Sequence, residues 1–187
     1  MKGSRGGRAS NPSLRHFKEM RTLAHIVVAA LAVMGIETTE AATKAAAFLK
    51  TVEGFRSTAY DDAAGNRTIG YGFTSADMIG KGRITEGEAS VELARICRSL
   101  SSKLRAELGG QRLTVAEEAA LISFIYNIGW SNFKGSTMCR LLKEGKRGRV
   151  VADEFNRWVY VTKGGRKVVC DGLKTRRAME RQRFMGC

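Results

Sequence analysis

Apolar residues recur at helical intervals through much of this chain, and the places where that rhythm breaks are informative. Ala45, Ala46, Phe48, Leu49 and Val52 fall on one face of a helix that the spacing carries to Glu53, where Gly54 follows. The next stretch, DDAAGN at residues 61–66, is a turn signal. Beyond it TIGYGFT at 68–74, rich in β-formers and punctuated by Gly70 and Gly72, predicts a strand of a hairpin. Thr85 and Glu88 have the spacing of a capping box, and helical periodicity continues from there to about residue 106. Thr114 and Glu117 repeat the device before a second helix, whose Leu121, Phe124, Ile125 and Ile128 form a buried face. The remainder also reads as helical. The expected class is α+β, mainly α.

The beginning of the chain follows a different pattern. Lys2, Arg5, Arg8, Arg15, Lys18 and Arg21 precede an apolar run over residues 23–36, broken only by His25, with small residues at Ala41 and Ala42. Basic, apolar, then small is the order of a secretory signal. Fourteen residues fall short of the roughly 20 that span a bilayer comfortably. Three readings stand: a signal peptide, a membrane-tethering segment, or an ordinary helix packed on the body. The expected division is therefore an N-terminal segment over 1–42 and one globular domain over 43–187.

Length and composition fit that division, since 187 residues with 43% hydrophobic content and a single proline suffice for one domain with a real core. Charge adds a partner class. The net charge is +14, and residues 134–187 hold 15 basic and 5 acidic side chains while residues 43–133 hold 11 and 10. A basic lobe beside a near-neutral one points to an anionic target. Nucleic acid and the carboxylate-bearing bacterial cell wall both qualify, but nucleic-acid recognition motifs and basic–aromatic interleaving are absent from the sequence.

Cys97, Cys139, Cys170 and Cys187 are widely spaced, and the two histidines, His16 and His25, lie far from them, so no zinc site is expected. The four thiols permit disulfides in an exported protein and stay reduced in a cytosolic one. No cofactor is implied, and no cysteine has a histidine near it in sequence to make it a nucleophile.

The candidate chemistry lies in EGFRSTAYDDAAGNRTIGYG at residues 53–72. Glu53 and the aspartates at 61 and 62 flank the turn, and Thr68 follows. Cleavage of a glycosidic bond needs two carboxyl groups, one protonated to donate to the leaving oxygen and one ionised to manage water or the sugar cation. Successive side chains of an extended segment face opposite ways, so only one of Asp61 and Asp62 can share a groove with Glu53, and residue type does not say which.

The spacing Glu-x8-Asp-x5-Thr, with Gly54 after the acid, resembles the phage-type lysozymes of glycoside hydrolase family 24. Three further runs, FIYNIGWSNFKGSTMCRLLKEG, FNRWVY and GLKTRRAMERQRF, resemble the lambdoid endolysin branch of that family in order and separation, so the likeness covers about residues 43–186. It implies a lysozyme-like fold: a small lobe with a short antiparallel sheet, a long connecting helix and a helical C-terminal lobe. The implied activity is that of a peptidoglycan hydrolase cutting the β-1,4 bond between N-acetylmuramic acid and N-acetylglucosamine. Glu53 would be the general acid, Asp62 rather than Asp61 would orient the attacking water, and Thr68 would help to hold that water. By the same resemblance Tyr126 and Ser136 would line the glycan groove and Arg176 would pair with Glu53. Asp61 is then a solvent-facing or turn-capping residue, and Trp158 a core residue. Some members of the lambdoid branch carry a weakly apolar N-terminal segment that enters the membrane and later releases. With export, the enzyme sits in the periplasm or on the inner membrane facing it; without, in the host cytoplasm. A monomer is expected, with peptidoglycan as partner and no nucleic acid. A lytic transglycosylase, or a non-catalytic wall-binding or nucleic-acid-binding module, are the alternatives.

Overall fold

The computed structural model describes residues 40–62 and 65–186, so the apolar run at 23–36 and Cys187 lie outside the described residues. Helix α1 (Glu40–Glu53) begins the body and buries Ala41, Ala42, Ala45, Ala46, Phe48 and Leu49. Ala41 and Ala42 thus belong to the packed body, and the expected boundary after residue 42 falls within the first turn of this helix. Gly54, at φ +69°, ends α1 immediately after Glu53 in a conformation that residues with a Cβ rarely adopt.

The hairpin follows as β1 (Arg56–Asp61) and β2 (Arg67–Gly70), antiparallel, with Tyr60 opposite Thr68 and Asp61 opposite Arg67. A short helix α2 (Ala76–Gly80) leads to α3 (Glu86–Glu107), where Thr85 and Glu88 form the capping box in full. Helix α4 (Val115–Ile128) opens with the second box, Thr114 with Glu117. Each box satisfies two otherwise orphaned backbone donors.

The remaining elements are short: α5 (Trp130–Lys134), α6 (Thr137–Lys143), α7 (Arg149–Ala152) and a 3₁₀ turn (Asp153–Arg157). They lead to a second hairpin, β3 (Tyr160–Lys163) and β4 (Arg166–Val169), which sequence periodicity did not predict. Helix α8 (Asp171–Phe184) closes the described chain.

Two apolar cores explain the two lobes. The first gathers Leu49, Ile69, Tyr71, Phe73 and Ile84 with Leu93 and Cys97 from the N-terminal half of α3. Leu104, Leu121, Phe124, Phe133, Leu142, Phe155 and Phe184 make the second. Helix α3 contributes to both, as does α4 through Ile122 on one face and Phe124 and Ile125 on another. The long helix therefore joins the lobes because its apolar stripe changes partners along its length.

Candidate active site

Glu53 occupies an electrostatically poor place. A carboxylate in the last turn of a helix meets the negative end of the helix dipole, where stability alone would favour a cation. The fold compensates locally: Arg176 Nη1 donates to Glu53 Oε1 at 2.6 Å, with the two side chains only 9% and 19% exposed. Glu53 Oε2 faces the turn after β2. There Gly72 holds φ +90°, and a Cβ built on it would lie 3.4 Å from Oε2. It is the backbone angle that favours glycine here, since a Cβ at that distance would make only an ordinary contact with the carboxyl oxygen.

Arg176 is itself held from behind. Its Nε donates to Glu180 Oε1 at 3.1 Å and its Nη2 to the Ser123 carbonyl at 3.4 Å. Glu180, fully buried, also accepts from Ser123 Oγ at 2.7 Å and from Arg177 Nη2 at 3.2 Å. Arg177 Nε approaches Glu180 Oε2 to 2.8 Å as an ion pair off the hydrogen-bond axis, while Nη2 also reaches Asn127 Oδ1 at 3.0 Å. Burial pushes Arg177 down to about 10, with the charge on Glu180 opposing it. The same burial pushes Glu180 up against the pull of both arginines. Sequence reasoning missed this cluster. Only Arg176 carried a signal there.

Asp62 sits just past β1 and is fixed by its own turn. Asn66 donates to it twice, from its backbone N to Oδ1 at 2.8 Å and from Nδ2 to Oδ2 at 3.2 Å. Of the two roles expected of Asp61 it has the solvent-facing one, exposed and paired loosely with Arg67 at 3.4 Å, and Asp62 caps the turn. Thr68 is buried in β2, and its hydroxyl donates to the Asn66 carbonyl at 2.9 Å, leaving its lone pairs to accept.

A groove of about 870 Å³ runs from Asp62 along the helical lobe, lined also by Asn127, Ser136, Trp158, Tyr160 and Lys167. Ser136 contributes its position more than its hydroxyl, which caps α6 by accepting from Cys139 N at 3.1 Å and donates to the Phe133 carbonyl at 2.6 Å. Trp158 both lines the groove and packs edge-on against Phe124 at 5.7 Å, so it is core and wall at once. Tyr126 does not line this groove. Its hydroxyl donates to the Tyr71 carbonyl at 2.7 Å, and it borders a smaller cleft of about 320 Å³ with Phe73, Ser75 and Trp130. Burial first, then the charge of Glu53, raise its phenol above the usual range.

Cys97, Cys139 and Cys170 are free thiols, and burial pushes Cys97 up to about 12, outside the reactive range. Among the described residues no group of three or more metal-ligating side chains converges.

The sequence and the fold both have known counterparts. The sequence model of the family described as Phage lysozyme matches residues 50–180. The chain is 31% identical over 134 residues to the SAR-endolysin of bacteriophage PS119, a match covering 70% of this chain and 74% of that one. Among solved structures it is similar to an endolysin from Escherichia coli O157:H7 phage FAHEc1, with TM-score 0.64 and 32% identity over 76% of this chain and 90% of the other. It also resembles the muramidase domain of SpmX from Asticaccaulis excentricus, with TM-score 0.65 and 30% identity over 75% and 94% of the two chains.

Proposed function

The chain belongs to the phage lysozyme family, and on that premise we propose that Glu53 is the general acid, Asp62 the carboxylate that orients water, and Thr68 an acceptor for that water. The protein is an endolysin, a glycosidase that cuts the β-1,4 bond between N-acetylmuramic acid and N-acetylglucosamine in peptidoglycan and so lyses bacteria. The observation that carries the residue assignment is the placing of Glu53. A carboxylate held at a helix C-terminus, with one oxygen tied to a buried arginine and the other beside Gly72, is costly to build and useful to a proton donor. Glu53 donates to the leaving oxygen from Oε2, the oxygen Arg176 does not engage. Asp62, fixed by Asn66, directs water to the opposite face of the sugar while its carboxylate offsets the charge of the oxocarbenium-like transition state. The route is inverting. Arg176 supports the acid, and Tyr126 and Ser136 shape the site rather than binding sugar through their hydroxyls.

Glu53→Gln tests the assignment. It keeps the shape and removes the proton, so clearing of permeabilised Gram-negative cells should slow by about 10²- to 10⁴-fold with an unchanged circular dichroism spectrum. Asp62→Asn should also be damaging and Asp61→Asn close to wild type; the reverse ranking means the other aspartate carries the role. Reducing ends on the released fragments, rather than anhydro sugars, mark hydrolysis.

The location proposed is the periplasmic side of the inner membrane, reached through residues 1–39. Supporting this are the basic-then-apolar order of that segment and the SAR-endolysin name of the PS119 relative. Burial of Ala41 and Ala42 favours a segment that is kept over one cleaved after them. Among the described residues no helix is long and apolar enough to cross a membrane. Fractionation of cells expressing the full chain should find it in membrane or periplasm, and deletion of 1–39 should leave it cytosolic. Full-length protein wholly in the cytosol overturns this.

A further inference from the structure

The β3–β4 hairpin forms one wall of the groove, and its register sorts its side chains. Tyr160 pairs with Val169, Thr162 with Lys167, and Lys163 with Arg166 around a Gly164-Gly165 tip. Directly opposed residues share a face and alternate pairs switch face, so Tyr160, Thr162 and Lys167 stand together; all three line the groove, and Val161 reaches it from the other face. Lys163 and Arg166 fall on the other face. All five are exposed or nearly so, with Tyr160 at 52%.

The charges lining the groove are otherwise spoken for. Asp62 is tied to Asn66, and Glu154 pairs with Arg157 at 3.5 Å. Lys167 has no acidic partner among the described residues, although it stands over an open groove that begins at the catalytic aspartate. A glycan of N-acetylated sugars is neutral along its backbone, and its anionic groups are the carboxylates of the peptides attached to its muramic acid residues. A cation on the groove wall therefore complements the peptide stem, not the sugar ring.

We infer that the Tyr160/Thr162/Lys167 face of this hairpin is a subsite for the carboxylate-bearing peptide stem of the substrate, with Lys167 pairing a stem carboxylate and Tyr160 packing against the stem. The inference rests on the muramidase reading, because the occupant is that enzyme's own substrate. It makes the hairpin a determinant of specificity for peptide-substituted glycan.

The test uses the full chain on purified sacculi, either untreated or with their carboxylates converted to neutral amides. Lys167→Gln should raise KM on untreated sacculi by about 2- to 5-fold with kcat nearly unchanged, the scale of one exposed ion pair. Lys167→Arg should restore most of it. On amidated sacculi wild type and Lys167→Gln should be equal. Lys163→Gln/Arg166→Gln, on the opposite face, separates a subsite from general charge attraction: it should have the smaller effect. The inference is overturned if Lys167→Gln matches wild type on untreated sacculi, if it loses as much on amidated ones, or if the opposite-face pair matters more. Failure of the underlying reading looks different, since wild type would then release no reducing ends from untreated sacculi.

Discussion

At the scale of single residues, the buried cluster behind Glu53 separates ion pairs that matter from those that do not. Glu180 is fully buried between two guanidiniums, whereas Asp153 and Arg181 form a bridge at 2.8 Å that is 52% and 34% exposed. Removing one partner of a buried pair leaves an uncompensated charge and costs about 3–5 kcal/mol, while an exposed pair is worth about 0–1 kcal/mol. Glu180→Gln should therefore lower the urea midpoint strongly with little change in slope, and Arg181→Gln should barely move it. The folded fraction of Glu180→Gln should also be less active, because Arg176 loses the anchor that aims it at Glu53. Comparable midpoints for the two variants mean that the cluster is not what holds α8 to α4. The sequence showed the outer member of this set and not the inner ones. Arg176 stood out by resemblance, but a glutamate one turn later is among the commonest residues on any helix surface, and only burial gives it meaning.

Among elements, legibility followed the strength of local signals. The two capping boxes and the apolar stripes behind them are determined within a few residues of chain, so α3 and α4 appear where the spacing puts them. The end of α1 at Glu53 and the turn after Asp61 were equally plain, since Gly54 and the DDAAGN run act locally. The β3–β4 hairpin was not. Its strands are four residues each and largely exposed on both faces, so no alternation of apolar and polar residues announces them, and its only cue was the Gly-Gly pair at the tip. Asp62 shows a related limit. The alternation of an extended strand established that Asp61 and Asp62 diverge, but which of them caps the turn depends on Asn66, four residues later and across the bend. Trp158 could be assigned as core from the sequence, but not also as groove wall, because that requires knowing where the second hairpin lies.

For the molecule as a whole, the uneven charge suggests how the enzyme stays on its substrate. The basic excess lies in residues 134–187, which build the groove's helical side, its hairpin and α8, while the lobe carrying Glu53 and Asp62 is near neutral. Attraction between such a lobe and an anionic wall acts over a screening length of about 10 Å at 0.1 M salt, so it raises local concentration without taking part in bond cleavage. Activity on intact sacculi should accordingly fall as salt rises past about 0.1 M, whereas turnover of a short soluble glycan should change much less. The surface cations to neutralise are Lys146 and Arg149, both exposed. Arg147 between them is a poor choice: its guanidinium donates to the carbonyls of Leu142 and Arg112 at 3.1 Å each and ties α6 to the loop before α4. Lys146→Gln/Arg149→Gln should flatten the salt response on sacculi and leave the short substrate untouched. Because both residues lie outside the groove lining, this loss should persist alongside that of Lys167→Gln, the two adding as independent sites do. Equal salt sensitivity on both substrates would place the charge effect in the active site or in folding stability, and tight, salt-sensitive binding of DNA would make nucleic acid the target of the basic lobe.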